Sequence, residues 1–158
     1  MSEIVFETEF KYEAILTNLA TLMAETDTIL EQFECPFKVQ TQVDVSVDEV
    51  FTNICSYAYP SQTGSVSVLI KVYEKPKRIA ISFIDEGVPY NPLEKEEPDI
   101  TLSADERPIG GLGIFMVKRM MDEMDYEYSE GKNVLTLLKI IEKRCLFDTE
   151  FMKKAGGE

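Results

Sequence analysis

The amino-acid sequence predicts an α+β fold, a two-layer sandwich in which a mixed, mostly antiparallel sheet carries its helices on one face. Three observations predict it. Apolar residues recur at helical spacing through most of the chain before Pro60, and strand-like runs in turn-linked pairs follow. One more amphipathic stretch, Leu112 to Met124, divides those pairs.

The first element is a short strand from Ile4 to Phe10. Apolar side chains then recur at Tyr12, Ile15, Leu16, Leu19, Leu22, Met23, Leu30 and Phe33, the spacing of a helix with one buried face, until Cys35-Pro36 interrupts it. A second helix is expected from Phe37 to Tyr59, with Val43, Val47, Val50, Ile54 and Ala58 toward the core and Pro60 as its stop. Val66 to Tyr73 and Arg78 to Ile84 read as strands around a Glu-Lys-Pro-Lys turn. A proline-rich acidic segment, Val88 to Ile109, leads to a third helix, Leu112 to Met124, whose stripe Ile114, Val117, Met121 and Met124 faces inward. Tyr126 to Tyr128, a Glu130-Gly131-Lys132 turn and Val134 to Ile141 close the fold. The last run is almost continuously apolar, as a central strand requires.

Composition narrows the function. The 158 residues, 44% apolar and 28% charged, suit one globular domain over 1–142. Residues 143–158 form a tail expected to dock as a short helix through Leu146, Phe147, Phe151 and Met152. A net charge of −13 opposes phosphate backbones and anionic lipid, so neither nucleic acid nor membrane is an expected partner. No apolar run approaches the roughly 20 residues of a membrane span. The opening Met1-Ser-Glu-Ile-Val-Phe-Glu lacks the basic-then-apolar order of a signal peptide, so a cytoplasmic location is expected. The three cysteines, Cys35, Cys55 and Cys145, have no CxxC spacing and read as reduced thiols. The sequence holds no histidine, which removes Ser-His-Asp and Cys-His catalysis, the usual catalytic zinc sites and self-phosphorylation on histidine. A general base must then be a carboxylate or, less often, Lys, Tyr or Cys.

Three short clusters could carry chemistry. Glu49 and Asn53 lie four residues apart on the second helix, so their side chains share a face about 6 Å apart at Cβ, at the edge of the core stripe. An asparagine carbonyl suits magnesium, a hard ion that keeps several waters and takes one or two protein oxygens plus substrate phosphates. A carboxylate one turn away can orient water or a hydroxyl for attack on a γ-phosphate. Taken alone, E-x-x-x-N is more often a solvated helix face.

Asp85 ends the apolar run Ile79 to Ile84 and precedes Glu86-Gly87-Val88-Pro89. A carboxylate fixed at a strand end can accept a hydrogen bond from the exocyclic amine of adenine, where guanine presents a carbonyl. Gly87 would let backbone approach the base with no Cβ in the way. An ordinary Asp-Glu-Gly turn gives the same pattern. Gly110-Gly111-x-Gly113 opens the third helix, where backbone N–H groups and the helix dipole can meet phosphate. It is neither the P-loop pattern nor the dinucleotide-binding G-x-G-x-x-G. The segment between these clusters, about 20 residues without regular structure, reads as a nucleotide lid, with Arg107 as its candidate for a γ-phosphate. Its acidic residues would repel a triphosphate, so modest affinity and strong magnesium dependence are expected.

In their order and spacing the clusters resemble the GHKL superfamily of ATPases and kinases, and within it the stand-alone bacterial anti-sigma-factor serine kinases. "VDEVFTNICSYAYP" is similar to that family's asparagine box, "ISFIDEGVPYNPL" to its first glycine box and "RPIGGLGIFMVKRMMDEMDYEY" to its second. The resemblance runs from about Phe6 to Ile141. It implies the histidine-kinase-like ATPase fold with ATP and Mg2+ as cofactors. It further implies Glu49 as general base, Asn53 as magnesium ligand, Asp85 as the adenine reader with Gly87 packed beside it, and Gly110, Gly111 and Gly113 closing a lid over the phosphates. Asn133 stands where the family usually has threonine, and could hydrogen-bond near adenine through water. Tyr57-Ala58 stands where the family often has His-Gly.

The function implied is an ATP-dependent serine/threonine protein kinase that binds and phosphorylates a small regulatory protein, an anti-sigma-antagonist-like partner, with a sigma factor as a further partner. The alternative is a non-catalytic, ATP-gated module that sequesters a sigma factor or another regulator. The family's habit also implies a homodimer.

Overall fold

The fold is read from a computed structural model, which describes residues 3–94 and 112–142. Strand β1 (Ile4–Glu13) leads through a 3-10 turn, Leu16–Asn18, to helix α1 (Leu19–Gln32) and helix α2 (Phe37–Tyr57). A hairpin follows, β2 (Ser65–Tyr73) and β3 (Arg78–Asp85), then helix α3 (Leu112–Met120) and a second hairpin, β4 (Glu123–Ser129) and β5 (Lys132–Ile140). The five strands form one sheet in the order β1-β2-β3-β5-β4. All four ladders are antiparallel, so the sheet is purer than the mixed arrangement expected. Among the described residues no helix is long and apolar enough to cross a membrane.

Strict alternation sends one face of β2 and β3 inward: Val66, Val68, Ile70 and Val72, then Ile79, Ile81 and Phe83, are all buried. Against them α1 lays Leu22, Ile29 and Leu30, α2 lays Val43, Val47, Val50 and Phe51, and α3 lays Val117. Two aromatic contacts tie β1 to the helical layer: Tyr12 meets Phe51 edge-on at 6.3 Å and Phe6 meets Phe33 at 5.7 Å. The Tyr12 hydroxyl also donates to Glu25 on α1 at 2.8 Å. The β4–β5 turn places Glu130 and Gly131 at φ of 53° and 76°, the left-handed pair that matches the twist of a two-residue hairpin.

The structure moves several expected boundaries. Tyr12 belongs to β1, whose alternation of Phe6, Thr8, Phe10 and Tyr12 with charged residues continues to Glu13. The helical spacing seen from Tyr12 onward was shared by a strand end and a turn. Ile15 and Leu16, counted with the buried face, are exposed, at 40% and 56%. Helix α2 stops two residues early, and Ala58 caps it by donating to the Ile54 carbonyl. Helix α3 ends at Met120, and Met124 lies on β4. There the Asp122 N–H joins Leu138 at 2.9 Å and the Ile140 N–H donates to Asp122 Oδ2 at 2.6 Å, so sheet pairing takes the chain from the helix. The tail with Leu146, Phe147, Phe151, Met152 and Cys145, together with residues 95–111 of the expected lid and its glycines, lies outside the described residues. Cys35 and Cys55 are free thiols, as expected.

One pairing in the helical layer is electrostatic. Asp27 on α1 and Asp44 on α2 each bury an Oδ1 that meets no donor among the described residues. Burial, then the hydrogen bond and charge of Asp27 and the charge of Glu31, push the Asp44 carboxyl up to about 7.

Candidate functional site

The site begins where the end of β3 lies beside the start of β5. Their register pairs Asp85 with Asn133, and the inward alternation of both strands turns these two polar residues toward the helices. Each is 6% exposed. Asp85 Oδ1 accepts the Gly87 N–H at 2.9 Å, closing an Asx turn, and the Asn133 Nδ2–H at 2.9 Å. No donor among the described residues is recorded on Oδ2, and Asp85 lines the cleft beneath α2. Asn133 also donates to the carbonyls of Val88 at 3.0 Å and Gly87 at 3.4 Å, and its Oδ1 accepts from the Tyr90 N–H at 3.1 Å and from the Tyr126 hydroxyl. Burial pushes the Tyr126 hydroxyl above its ordinary range, which keeps the proton it donates in place.

Helix α2 forms the other wall. Asn53 and Ile54 line the cleft and both are half-buried, the edge position expected for Asn53 but not for Ile54, which was expected among the core positions of the helix. Glu49 lies one turn earlier, also half-buried, with its carboxylate against the first turn of α3. A Cβ built on Gly113 would collide with that carboxylate, so a side chain here would push the Glu49 carboxylate aside. Ile114, the next residue of α3, closes the cleft.

Gly87 has a steric reason of its own to be glycine. A Cβ there would strike the carbonyl and Cβ of Ala58, whose carbonyl accepts the Val88 N–H at 2.9 Å. The loop after β3 is therefore pressed onto the C-terminus of α2, and Gly87 borders an outer recess with Ala58 and Tyr59 rather than the main cleft. Tyr59 holds the same junction: its hydroxyl donates to Ser65 at 2.6 Å and accepts the Glu86 N–H at 2.9 Å.

The cleft is open on one side, and its empty space, counted out to the solvent, is about 520 Å³. Its walls are apolar or aromatic, from Val50, Ile54, Ile114 and Leu135 to Tyr57, Tyr90 and Tyr126. Among its described lining residues Asp85 is the one charged group. That combination, a flat apolar slot with one buried acceptor at its floor, suits a planar heterocycle carrying an amine. Of the residues singled out from sequence, the structure brings together Glu49, Asn53, Asp85, Gly113 and Asn133. Arg107, Gly110 and Gly111 lie outside the described residues. The Tyr59 and Tyr126 hydrogen bonds were not foreseen; phenol groups at strand and helix ends carry no local signal for their partners.

A helix-covered antiparallel sheet, with such a cleft between its asparagine-bearing helix and a strand-end aspartate, is the architecture of the histidine-kinase-like, GHKL type. The chain belongs to the histidine kinase-like ATPase domain family, whose model matches residues 12–139. It is similar to the "Serine-protein kinase RsbW" proteins of Bacillus thuringiensis (strain Al Hakam) and Bacillus anthracis, at 30% identity over 95 residues. That match spans 58% of this chain and 58% of each relative. Among solved structures, the RsbU and RsbW domains of Rv1364c from Mycobacterium tuberculosis share the fold with a TM-score of 0.65. The likeness covers 89% of this chain and 34% of that one at 13% identity.

Proposed function

We propose that the cleft binds ATP with magnesium and that the protein is a serine/threonine protein kinase of the anti-sigma-factor type, acting on a small regulatory protein. One observation carries the reading: Asn53 of α2 and Asp85 of β3 border one apolar cleft, and Glu49 lies one helical turn from Asn53, against the first turn of α3. The similarity to proteins named serine-protein kinase supports it.

On this reading Asp85 Oδ2 accepts the exocyclic amine of adenine, and the base lies among Ile54, Ile114 and Leu135. The triphosphate runs toward Asn53 and the first turn of α3. Among the described residues no three His, Cys, Asp or Glu side chains are grouped to hold an ion, which fits an ion that arrives with the nucleotide and takes the Asn53 carbonyl as one ligand. Bound there, magnesium would offset the phosphate charge that this acidic chain opposes. Glu49 takes the proton of the incoming hydroxyl as its oxygen bonds to the γ-phosphorus. The bond to the β,γ-bridging oxygen breaks, and ADP carries away that electron pair.

The test uses labelled Mg-ATP, the purified protein and small acceptor proteins of the anti-sigma-antagonist kind. Glu49→Gln is expected to lower phosphoryl transfer by about 100-fold or more while leaving Mg-ATP binding within about threefold. Equal transfer by wild type and Glu49→Gln would remove the kinase reading. Tight ATP binding with transfer to no acceptor would point instead to an ATP-gated module that holds its partner without modifying it.

A further inference from the structure

We propose, resting on the reading of the cleft as an adenine site, that Asn133 is a positioning residue that sets base preference by holding Asp85, and does not itself touch the ligand. A side-chain amide offers two N–H donors and two acceptor lone pairs. Here all are engaged by protein: Asp85 Oδ1 and the Val88 carbonyl take the donors, and the Tyr90 N–H and the Tyr126 hydroxyl fill the acceptor. Asn133 borders the cleft, but at 6% exposure its amide has no donor or acceptor left to bond a nucleotide, directly or through water.

The orientation of the amide is not free either. Turned over, it would set an NH2 against the Tyr90 N–H and a carbonyl against Asp85 and Val88, which the surroundings forbid. Asp85 is thus held by one oxygen in a fixed direction, and the other oxygen faces the cleft. The same amide fastens the loop at Gly87, Val88 and Tyr90 to β5, and Tyr126 brings in β4. A threonine at this position has a single O–H donor and could not serve both Asp85 Oδ1 and the Val88 carbonyl. Asparagine therefore joins three strands and a loop at the point where base selection is made.

The test measures binding of Mg-ATP, Mg-GTP and magnesium tripolyphosphate to wild type, Asn133→Asp, Asn133→Ala and Asp85→Asn, with thermal melting of each variant. Asn133→Asp keeps the shape and the acceptor side, but sets a second carboxylate against Asp85. At pH 8 its ATP affinity should fall at least tenfold and its preference for ATP over GTP should collapse, with tripolyphosphate binding within twofold of wild type. Toward pH 5.5 a proton shared between the two carboxylates restores a donor, and ATP affinity relative to wild type should recover. Asn133→Ala should show the same loss with no recovery in acid. A merely structural residue would weaken all three ligands together and show no acid recovery.

An unchanged ATP-to-GTP ratio in either folded Asn133 variant overturns the proposal. If wild type does not prefer ATP, or Asp85→Asn binds as wild type does, the adenine-site reading fails and this inference with it. If Asp85→Asn loses the preference while the Asn133 variants keep it, only the positioning role is lost.

Discussion

Gly113 and Glu49 compete for the same space, and that makes their relation measurable without reference to activity. Gly113→Ala puts a methyl group where the Glu49 carboxylate sits, so the carboxylate must move or α3 must shift. Because the group in the way is the far end of a flexible side chain, Gly113→Ala is expected to cost the fold less than about 1 kcal/mol. That loss should vanish in a Glu49→Ala background, as a double-mutant cycle on thermal or urea melts would report. Gly87→Ala should cost more, about 1–3 kcal/mol, the usual range for overpacking, since its methyl meets the backbone of Ala58, which cannot swing away. No partner substitution at Ala58 would rescue it, since the collision includes the carbonyl oxygen. These two glycines show how far single residues could be read from sequence. That something approaches each position closely was suggested by the glycine itself. What fills the space was not, because Glu49 and Ala58 come from a helix far away along the chain.

Among the elements, α1 and α2 meet through a carboxyl pair as well as through their apolar faces. The Asp44 carboxyl, pushed up to about 7 in the folded protein against an ordinary value of 3.8, keeps its proton where the unfolded chain has released it. Its contribution to stability is therefore fully present below about pH 4, declines as pH rises toward 7 and is absent above that. Both carboxyls are partly exposed and screened, so a decline of about 1 kcal/mol is expected rather than the full conversion of the shift. Asp44→Asn should flatten this part of the melting-temperature profile between pH 4 and 7, a comparison that a thermal scan in matched buffers provides. The strands and helices themselves were largely legible: alternation in β2 and β3 and the apolar stripe of α2 have one period each, and these three elements appeared within two residues of where they were expected. The errors fell where two periods overlap. Tyr12 to Leu19 satisfies a helix as well as a strand end plus a turn, and Met121 to Met124 satisfies the end of α3 as well as the approach to β4. Only pairing with β2 and β5, which is remote in sequence, decides between them.

The whole molecule joins a strongly acidic chain to a cleft with one charged lining group among those described. A free tetra-anionic nucleotide has little reason to settle there, and its magnesium complex has more. Mg-ATP at 100 times its Kd should raise stability by about 2.7 kcal/mol, and chelating the magnesium should remove most of that increase, both readable as shifts in melting temperature. The candidate site was legible as a set of short clusters but not as a mesh of bonds. Asp85 and Asn133 are 48 positions apart, and their meeting depends on sheet order, which no local pattern encodes. That order has a bearing on synthesis. β5 is the last of the described strands in chain order yet sits in the interior, between β3 and β4, so a nascent chain from which it has not emerged lacks the strand that joins its two neighbours. The facing edges of β3 and β4 stay open to aggregation and chaperone capture until β5 has left the ribosome. Ribosome-bound chains arrested before and after that point should differ sharply in protease resistance and in retention on immobilised ATP.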